Sequence, residues 1–448
     1  MNDAQHHSSE AQGSTAFLTD MYELTMLDAA IKDGTAERDC IFEVFGRRLP
    51  NERRYGVVAG TERVLDAITK FRFTEDQLAT ADFLSPQCRE YLANYRFSGQ
   101  VDGYREGELY FPYSPIMTVR GTFAECVILE TVILSILNSD SAVASAASRM
   151  VSAADGRPII EMGSRRTNEQ AAVASARATY IAGFNATSNM EASLRYGIPP
   201  SGTAAHSWTL LHVDDQGQPD EKAAFKAQID SLGLDTTLLV DTFDITKGVD
   251  NALEVAGTEL GAVRIDSGDL GIVSRRVRKQ LDAAGAFNTR IIVSSDLDEF
   301  AIAGLRGDPV DGFGVGTSVV TGSGAPTAGL VYKLVEVEGH PVSKRSSGKH
   351  TYGGAKAAAR AYRASGVAVS EVIRPAGVEI ERKSNLDYRE LTVPMIRGGK
   401  PVDGPFDLTD ARELHREART TLPWEGLALS KGDAAIPTQF VGFPEPSE

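Results

Sequence analysis

The chain has 448 residues, a formal net charge of −15, 42% hydrophobic and 24% charged residues. This length predicts a large domain with a smaller companion, and the composition is that of a globular protein. The negative charge argues against binding to nucleic acid or to an anionic membrane, because both need a basic surface. Three separated cysteines, without a CxxC pair, argue against a disulfide framework or a zinc cluster and indicate a reducing cytoplasm.

The sequence patterns in the N-terminal third of the chain predict a mixture of helices and strands, an α+β region. Residues 1–16 are polar and lack an apolar run, which predicts a disordered start rather than a signal peptide. Thr19 or Asp20 precedes apolar positions at helical spacing and predicts an N-capped helix within 15–32. Further strands are predicted at 39–46 and 55–60, and further helices at 74–95 and 123–150. The last helix has a broad apolar face and should be buried, and its apolar run, interrupted by Glu130, is too short to span a bilayer.

From about residue 157 the sequence alternates short apolar strands with helices. The predicted strands are PIIEMGS, GFNATSN, SGTAAHS, TTLLVDTFD, GAVRIDSGD, TRIIVSSD and DGFGVGTS. This alternation predicts a parallel sheet, either closed into a barrel or open and doubly wound. In both architectures the polar strand ends share one edge, where a ligand would bind. The residues predicted to lie at that edge are Arg165, His206, Asp241, Arg264, Asp266, Asp296 and Thr317.

The predicted domain organisation has four parts. A disordered start (1–16) precedes an N-terminal α+β domain with its long connecting helix (17–150). An α/β catalytic domain follows (151–355), and then a C-terminal region (356–448). We expect the last region to pack back on the N-terminal domain and to end in a loose, proline-rich tail.

Two segments at the shared edge carry titratable groups suited to catalysis. In SGTAAHSW small residues lead to His206, which could be base, acid or phosphoryl acceptor, or simply a structural histidine. In VRIDSGDLG, Arg264 and Asp266 are two residues apart and face the same side of a strand. Arg264 could bind a carboxylate or an aromatic ring, and Asp266 could bind ribose hydroxyls or Mg²⁺. An internal salt bridge is the alternative for this pair.

Two further segments predict anion binding. GFGVGTSVVTG at 312–322 is a glycine-rich turn that enters a helix, where backbone N–H groups favour a phosphate. It matches neither a P-loop nor a dinucleotide-binding fingerprint. The adjacent Arg165 and Arg166 follow a strand, and burying such a pair requires anions or carboxylates nearby.

The motifs TDMYELTM, FGRRLP, MGSRRTN, GTAAHS, VRIDSGDL and GVGTS occur in this order. Together they resemble the nicotinate phosphoribosyltransferase family of type II phosphoribosyltransferases, over roughly 17–355. The resemblance implies an irregular TIM-like α/β barrel with an N-terminal α+β domain, and a homodimer with active sites at the subunit boundary. It implies a cytoplasmic, ligase-type enzyme of NAD biosynthesis that uses nicotinate, 5-phosphoribosyl 1-diphosphate and the co-substrate ATP. Mg²⁺ is expected with diphosphate and ATP, and since 356–448 contains no cysteine, no structural zinc module is expected.

The resemblance also implies roles for individual residues. His206 is similar to a histidine that ATP phosphorylates, Asp241 to the carboxylate that orients it, and Asp266 to a third catalytic group. Tyr22 is similar to an aromatic residue that stacks on the pyridine ring across the dimer boundary. The other substrate-binding residues implied in this way are Arg165, Arg166, Thr203, Arg264, Gly316 and Thr317.

Ser188 in FNATSN predicts which pyridine is used. In related nicotinamide enzymes the matching position resembles an aspartate, which accepts hydrogen bonds from a carboxamide and would repel nicotinate. The Ser188 hydroxyl can instead donate to the nicotinate carboxylate, so the acid is favoured. A nicotinamide phosphoribosyltransferase is the alternative within this family. A barrel enzyme for another sugar phosphate and a non-catalytic metabolite-binding protein are the alternatives outside it.

Overall fold

The computed structural model describes residues 13–344, 351–402 and 407–443. The described residues form two compact units, one from Met1–Ser145 with Ala325–Glu448 and the other from Ala146–Gly324. Most of the predicted disordered start and part of the predicted loose tail lie outside the described residues.

The secondary structure alternates throughout the chain. The helices are α1 (Met21–Asp33), α2 (Thr61–Thr69), α3 (Glu75–Thr80), α4 (Pro86–Ala93), α5 (Phe123–Val127), α6 (Glu130–Ala154), α7 (Glu169–Ile181), α8 (Met190–Tyr196), α9 (His206–Leu211), α10 (Glu221–Leu232), α11 (Ile245–Ala256), α12 (Leu270–Ala283), α13 (Glu299–Gly304), α14 (Thr317–Val320) and α15 (Leu408–Thr420). The strands are β1 (Asp39–Gly46), β2 (Gly56–Val57), β3 (Gln100–Tyr104), β4 (Leu109–Tyr110), β5 (Met117–Thr122), β6 (Ile159–Glu161), β7 (Ala186–Thr187), β8 (Thr237–Leu239), β9 (Ala262–Ile265), β10 (Arg290–Val293), β11 (Gly312–Val315), β12 (Leu330–Val337), β13 (His340–Pro341), β14 (Lys356–Arg363), β15 (Ala368–Pro375), β16 (Leu386–Glu390), β17 (Thr392–Arg397), β18 (Lys400–Pro401) and β19 (Thr438–Phe440).

The first unit is built on an antiparallel sheet in the order β13-β12-β1-β5-β3-β17-β18. Its central strand β1 is the apolar run predicted at 39–46, and every residue after Asp39 is buried. On one side β1 pairs with β12, from Cys40 opposite Val337 to Gly46 opposite Leu330. The sequence analysis placed residues 325–344 in the catalytic domain (151–355), whereas they belong to the first compact unit, in which β12 pairs with β1.

The helix predicted at 74–95 is two helices. Thr74 caps α3 in a capping box with Gln77, and Ser85 caps α4 by accepting from Cys88 N. Pro86 is the first residue of α4, where its missing N–H and fixed φ are tolerated, whereas within one continuous helix it would break a hydrogen bond. The strand predicted at 55–60 is shorter than expected and comprises only Gly56–Val57.

The helix predicted at 123–150 is present as α5 and α6, with a break at Ile128 and Leu129. The helical stretch Phe123–Ala154 is longer than the apolar run predicted from the sequence. Among the helices of the described segments, it alone is long and apolar enough to cross a membrane. However, 61% of its most apolar window is buried inside the protein, as in the core helix of a globular fold.

A buried ion network joins early and late residues within the first unit. Arg360, 1% exposed, donates to Glu371 Oε2 at 2.8 Å and to Glu108 Oε1 at 2.5 Å. Tyr104 donates its hydroxyl to Glu371 at 2.8 Å, and Arg389 pairs with the other oxygen of Glu108 at 2.8 Å. Although burial opposes ionisation, Arg360 and Arg389 hold the pKa of Glu108 below its usual range. Each charge is therefore compensated locally, as burial requires.

We expect Arg360→Met to destabilise the first unit by about 3–5 kcal/mol, because it leaves the buried carboxylates of Glu108 and Glu371 without their shared cation. The measurement is chemical denaturation of the full chain. The matched control is Lys70→Met, which removes an exposed ion pair with Asp66 and should cost less than about 1 kcal/mol. Equal effects of the two substitutions would contradict the prediction.

The second unit contains a six-stranded sheet in the order β7-β6-β11-β10-β9-β8, and all its pairs are parallel. Six of the seven strands predicted between 157 and 318 are confirmed. The strand predicted at SGTAAHS is wrong, because residues 201–205 are irregular and His206 begins α9. The preceding Pro199 and Pro200 lack N–H groups and cannot donate to a ladder, so pairing there is limited to one bridge between Thr187 and Pro200.

The irregular segment 199–203 contacts both edge strands of this sheet. Thr187 N donates to Pro199 O at 3.0 Å, and Ser201 N donates to Thr187 O at 2.9 Å. On the other side, Thr203 Oγ1 donates to Thr237 O in β8 at 2.9 Å. The second unit is therefore a mixed α/β structure with a parallel sheet curled into a half-barrel.

Candidate active site

The carboxyl ends of all six parallel strands lie at one edge of the sheet in the second unit. Parallel pairing brings together residues that are far apart in the sequence, and such edges are the usual ligand sites of α/β folds. The predicted site residues that the structure places after these strands, or in the segment beside them, are Arg165, Arg166, Ser188, Thr203, His206, Asp241, Arg264, Asp266, Asp296, Gly316 and Thr317.

A hydrogen-bonded series connects the ends of three neighbouring strands. Asp241, after β8, accepts from Asp266 N at 2.8 Å and from Ser267 Oγ at 2.6 Å through its Oδ2 atom. Asp266, after β9, accepts from Ser294 Oγ at 2.7 Å. The Oδ1 atom of Asp241 is buried and has no hydrogen-bond partner within the described part of the chain. One carboxylate oxygen thus fixes the strand ends, while the other is available to a ligand.

Arg264 supplies positive charge beside these carboxylates. Its Nη2 donates to Ala204 O at 3.2 Å, and its Nε is buried without a partner among the residues described. Burial lowers the pKa of Arg264, against the opposing effect of Asp266 and Asp241, but an arginine remains charged at neutral pH. An unpaired buried donor is costly unless a ligand accepts from it.

His206 is the half-buried first residue of α9. Its Nδ1 lies 3.1 Å from Thr242 Oγ1, which is within hydrogen-bonding distance. The resemblance implied Asp241 as the residue that orients this ring, but the hydrogen bonds of Asp241 in this structure go to residues 266 and 267. Thr242 was missed in the sequence analysis, and the only available signal was its position next to Asp241 in LVDTFD.

Glu161 organises the opposite half of the edge. It is fully buried at the end of β6, and it accepts from Gly163 N at 2.5 Å and from Thr187 Oγ1 at 2.6 Å. Burial raises the pKa of Glu161, and these two hydrogen bonds partly offset that effect. Its backbone carbonyl accepts from Ser188 N at 2.8 Å, so the exposed Ser188 is held at the edge by its backbone.

The glycine-rich turn packs tightly against the loop after β6. Gly316 caps α14, and Thr317 is exposed at the start of that helix. A Cβ at Gly163 would lie 2.1 Å from Val320 Cγ1 and 3.2 Å from Gly316 O. A side chain at position 163 would therefore displace Val320, and the absence of one allows the close approach of the turn whose N–H groups could receive a phosphate.

The remaining predicted site residues differ in whether their side chains are free to contact a substrate. Arg165 and Arg166 are exposed, whereas the Thr203 hydroxyl is used in its bond to β8. Tyr22 belongs to the first unit, where it lies on α1 with 45% of its surface exposed. Desolvation and the Glu130 carboxylate raise the pKa of Tyr22 to about 12, so its phenol is neutral at physiological pH.

Two serines after β10 are further site residues that were missed from the sequence. Ser294 is buried and donates to Asp266. Ser295 has a φ of 120°, a backbone conformation that strongly favours glycine. Such strain is retained where the surrounding structure over-determines it, often at functional sites. The segment VSSD offered no sign of this turn beyond its position after a strand.

The fold is that of an α/β enzyme, with arginine, carboxylate and glycine-rich segments at the carboxyl edge of a parallel sheet, where such enzymes usually bind their ligands. Residues 17–138 match the family model of the nicotinate phosphoribosyltransferase N-terminal domain, and residues 158–364 match that of the nicotinate phosphoribosyltransferase family. Nicotinate phosphoribosyltransferase pncB1 of Mycobacterium tuberculosis is 58% identical over 436 residues, covering 96% of each chain. The Bacillus subtilis nicotinate phosphoribosyltransferase is 39% identical over 343 residues, 72% of this chain and 67% of that protein.

The chain therefore belongs to the nicotinate phosphoribosyltransferase family. It is an enzyme of NAD biosynthesis, and its substrates are nicotinate and 5-phosphoribosyl 1-diphosphate. The crystal structure of human nicotinic acid phosphoribosyltransferase has the same fold, with a TM-score of 0.80 at 24% sequence identity. The structural match covers 94% of this chain and 97% of the human chain.

We expect Gly163→Ala to destabilise the protein by about 1–3 kcal/mol and to raise the KM for 5-phosphoribosyl 1-diphosphate, because the new methyl group must displace Val320 and the adjacent turn. Steady-state kinetics and thermal denaturation measure both effects. Gly307→Ala is the matched control, since a Cβ there has no atom within 4 Å. The double variant Gly163→Ala/Val320→Ala should recover part of the loss, and no recovery would contradict this steric explanation.

Proposed function

We propose that this enzyme couples nicotinate ribosylation to ATP hydrolysis through phosphorylated His206. The overall reaction converts nicotinate, 5-phosphoribosyl 1-diphosphate, ATP and water into nicotinate mononucleotide, diphosphate, ADP and phosphate. The observation that supports it most strongly is the position of His206, Arg264, the Asp241–Asp266 series and the Gly316 turn along one edge of one sheet.

In the ribosyl transfer, the pyridine nitrogen of nicotinate attacks ribose C1. The bond from C1 to the diphosphate oxygen breaks, and its electron pair leaves with diphosphate. Arg264 is suited to lie beside the pyridine ring and donate to the nicotinate carboxylate, because its buried Nε has no acceptor in the described structure. Asp266 is suited to accept from ribose hydroxyls and to stabilise positive charge that develops at C1. Backbone N–H groups at Gly316 and Thr317 would bind the 5-phosphate, with Arg165 and Arg166 adding positive charge.

In the coupled reaction, a lone pair of the neutral His206 ring attacks the γ-phosphorus of ATP. A nitrogen–phosphorus bond forms, the bond from γ-phosphorus to the bridging oxygen breaks, and ADP leaves with that electron pair. The phosphorylated ring carries positive charge. We propose that the unpartnered Oδ1 of Asp241, which adjoins the His206 contact residue Thr242 in the chain, stabilises that charge. Hydrolysis of the phosphohistidine would then favour product formation without His206 contacting the ribose.

Mg²⁺ fits this site as an ion carried by diphosphate or ATP. Within the described residues no group of three or more His, Cys, Asp or Glu could form a metal cluster by itself. Mg²⁺ typically binds one or two protein carboxylates together with substrate phosphates, and the unpartnered Asp241 Oδ1 and the half-buried Asp266 offer such ligands. When bound, the ion would neutralise charge on the leaving diphosphate.

Three broader assignments belong to the same proposal. The bonds of segment 199–203 to both edge strands support an irregular TIM-like barrel. The exposed apolar face of α1, including Met21 and Tyr22, supports a homodimer with active sites at the subunit boundary, in which Tyr22 stacks on the pyridine ring. The three buried, unpaired cysteines support a cytoplasmic location.

We expect His206→Ala to abolish ATP-dependent coupling and to leave weak ATP-independent transfer, because the ring accepts phosphate but does not touch ribose C1. The measurement combines transfer of γ-labelled phosphate to the protein with formation of nicotinate mononucleotide, with and without ATP. His340→Ala, at an exposed position in the first unit, is the control and should behave as the unaltered enzyme. Retained labelling in His206→Ala would overturn the assignment.

We expect Ser188→Asp to shift the preference from nicotinate towards nicotinamide by at least about tenfold in the ratio of kcat/KM values, because a carboxylate repels the acid and accepts from the amide. Both pyridines are assayed with the same enzyme preparations. Ser188→Asn is the matched control, since it adds similar bulk without charge. An unchanged ratio in Ser188→Asp would show that this side chain does not face the pyridine substituent.

A further inference from the structure

The contact between His206 and Thr242 joins two anchored elements. Thr242 lies in the short loop between β8 and α11, with Asp241 bonded to residues 266 and 267 on one side. On the other side, the Asp244 side chain accepts from Lys247 N and caps α11. The loop that carries the Thr242 hydroxyl is therefore held on both sides.

The helix that carries His206 is anchored as well. Trp208, in the first turn of α9, donates its indole N–H to Ala224 O in α10 at 3.1 Å. Trp208 N also donates to Ala205 O, which closes the turn that contains His206. The 3.1 Å separation between His206 Nδ1 and Thr242 Oγ1 therefore arises between two fixed elements rather than between free side chains.

A hydroxyl partner has a chemical consequence for the ring. Threonine can donate to or accept from Nδ1, so it holds a neutral imidazole of either tautomer. A carboxylate in the same position would favour the protonated imidazolium, which has no lone pair for attack on phosphorus. In this structure the nearby carboxylate of Asp241 is not hydrogen-bonded to His206, and its second oxygen has no partner within the described residues.

We propose that Thr242 is the positioning residue for His206, and that its hydroxyl holds the neutral ring in the orientation from which a ring nitrogen attacks the γ-phosphate of ATP. The proposal rests on the phosphorylation of His206 proposed above. It divides the control of the ring between two consecutive residues. Thr242 orients the uncharged nucleophile, and Asp241 becomes important once the ring carries phosphate and positive charge.

The test is single-turnover labelling of the full-length enzyme by γ-labelled ATP, measured beside ATP-independent formation of nicotinate mononucleotide. In Thr242→Val, which removes the hydroxyl but keeps the shape, labelling should fall about tenfold relative to transfer, the effect of losing one orienting hydrogen bond. Thr242→Ser keeps the hydroxyl and should label within about twofold of the unaltered enzyme. Thr246→Val, at an exposed position in α11, is the matched control and should not change labelling.

Selective loss of labelling in Thr242→Val with rescue by Thr242→Ser supports the proposal. Unaltered labelling, an equal loss of labelling and transfer, or failure of Thr242→Ser to rescue would overturn it. Thr242→Ala provides a second truncation if the valine variant does not fold, and it should reproduce the selective loss. His206→Ala distinguishes failure of the phosphohistidine proposal from failure of the Thr242 proposal. Labelling that persists in His206→Ala refutes phosphorylation of His206. Labelling that is lost in His206→Ala but retained in Thr242→Val refutes only the role of Thr242.

Discussion

Parallel pairing of six short strands is the constraint on which every assignment in the second unit depends. Strands of two to four residues contribute few ladder hydrogen bonds, so side chains at the carboxyl edge supply further connections. Asp241 joins β8 to the loop after β9, and Glu161 joins β6 to β7 through Thr187. The same carboxylates lie where substrates are expected. Residues that hold the sheet together therefore also set the charge at the proposed substrate edge, so we expect substitutions of them to change stability and ligand binding together.

Much of this arrangement was predictable from the sequence, since six apolar runs ending in polar residues define a parallel sheet and its functional edge. The irregular segment 201–205 was predicted wrongly as a strand, because its small residues before His206 resemble a strand end and the preceding Pro199 and Pro200 were not weighed as a break. The sequence also did not show which side chains at this edge contact one another. Asp241 and Thr242 are adjacent, and only the turn after β8 determines which of them meets His206.

In the first unit, the elements were easier to predict than their partners. The apolar pattern of β1 indicates a buried strand, but it carries no information that its two neighbours are β5 and β12, nearly 300 residues away in the second case. Similarly, nothing in the local sequence distinguishes the charged residues Arg360 and Glu371 from charged residues at the surface. Their burial depends on long-range side-chain bonds, of Arg360 to Glu108 and of Glu371 to Tyr104, which no local pattern encodes.

The discontinuity of the first unit affects how the chain folds as it is made. The second unit is a continuous segment, Ala146–Gly324, so all of it can leave the ribosome before the last part of residues 325–448 has been translated. The central strand β1 emerges early but must wait for β12, and Glu108 must wait for Arg360. The N-terminal residues therefore spend part of synthesis with one edge of β1 unpaired, and the first unit can be completed only after most of the chain has left the ribosome.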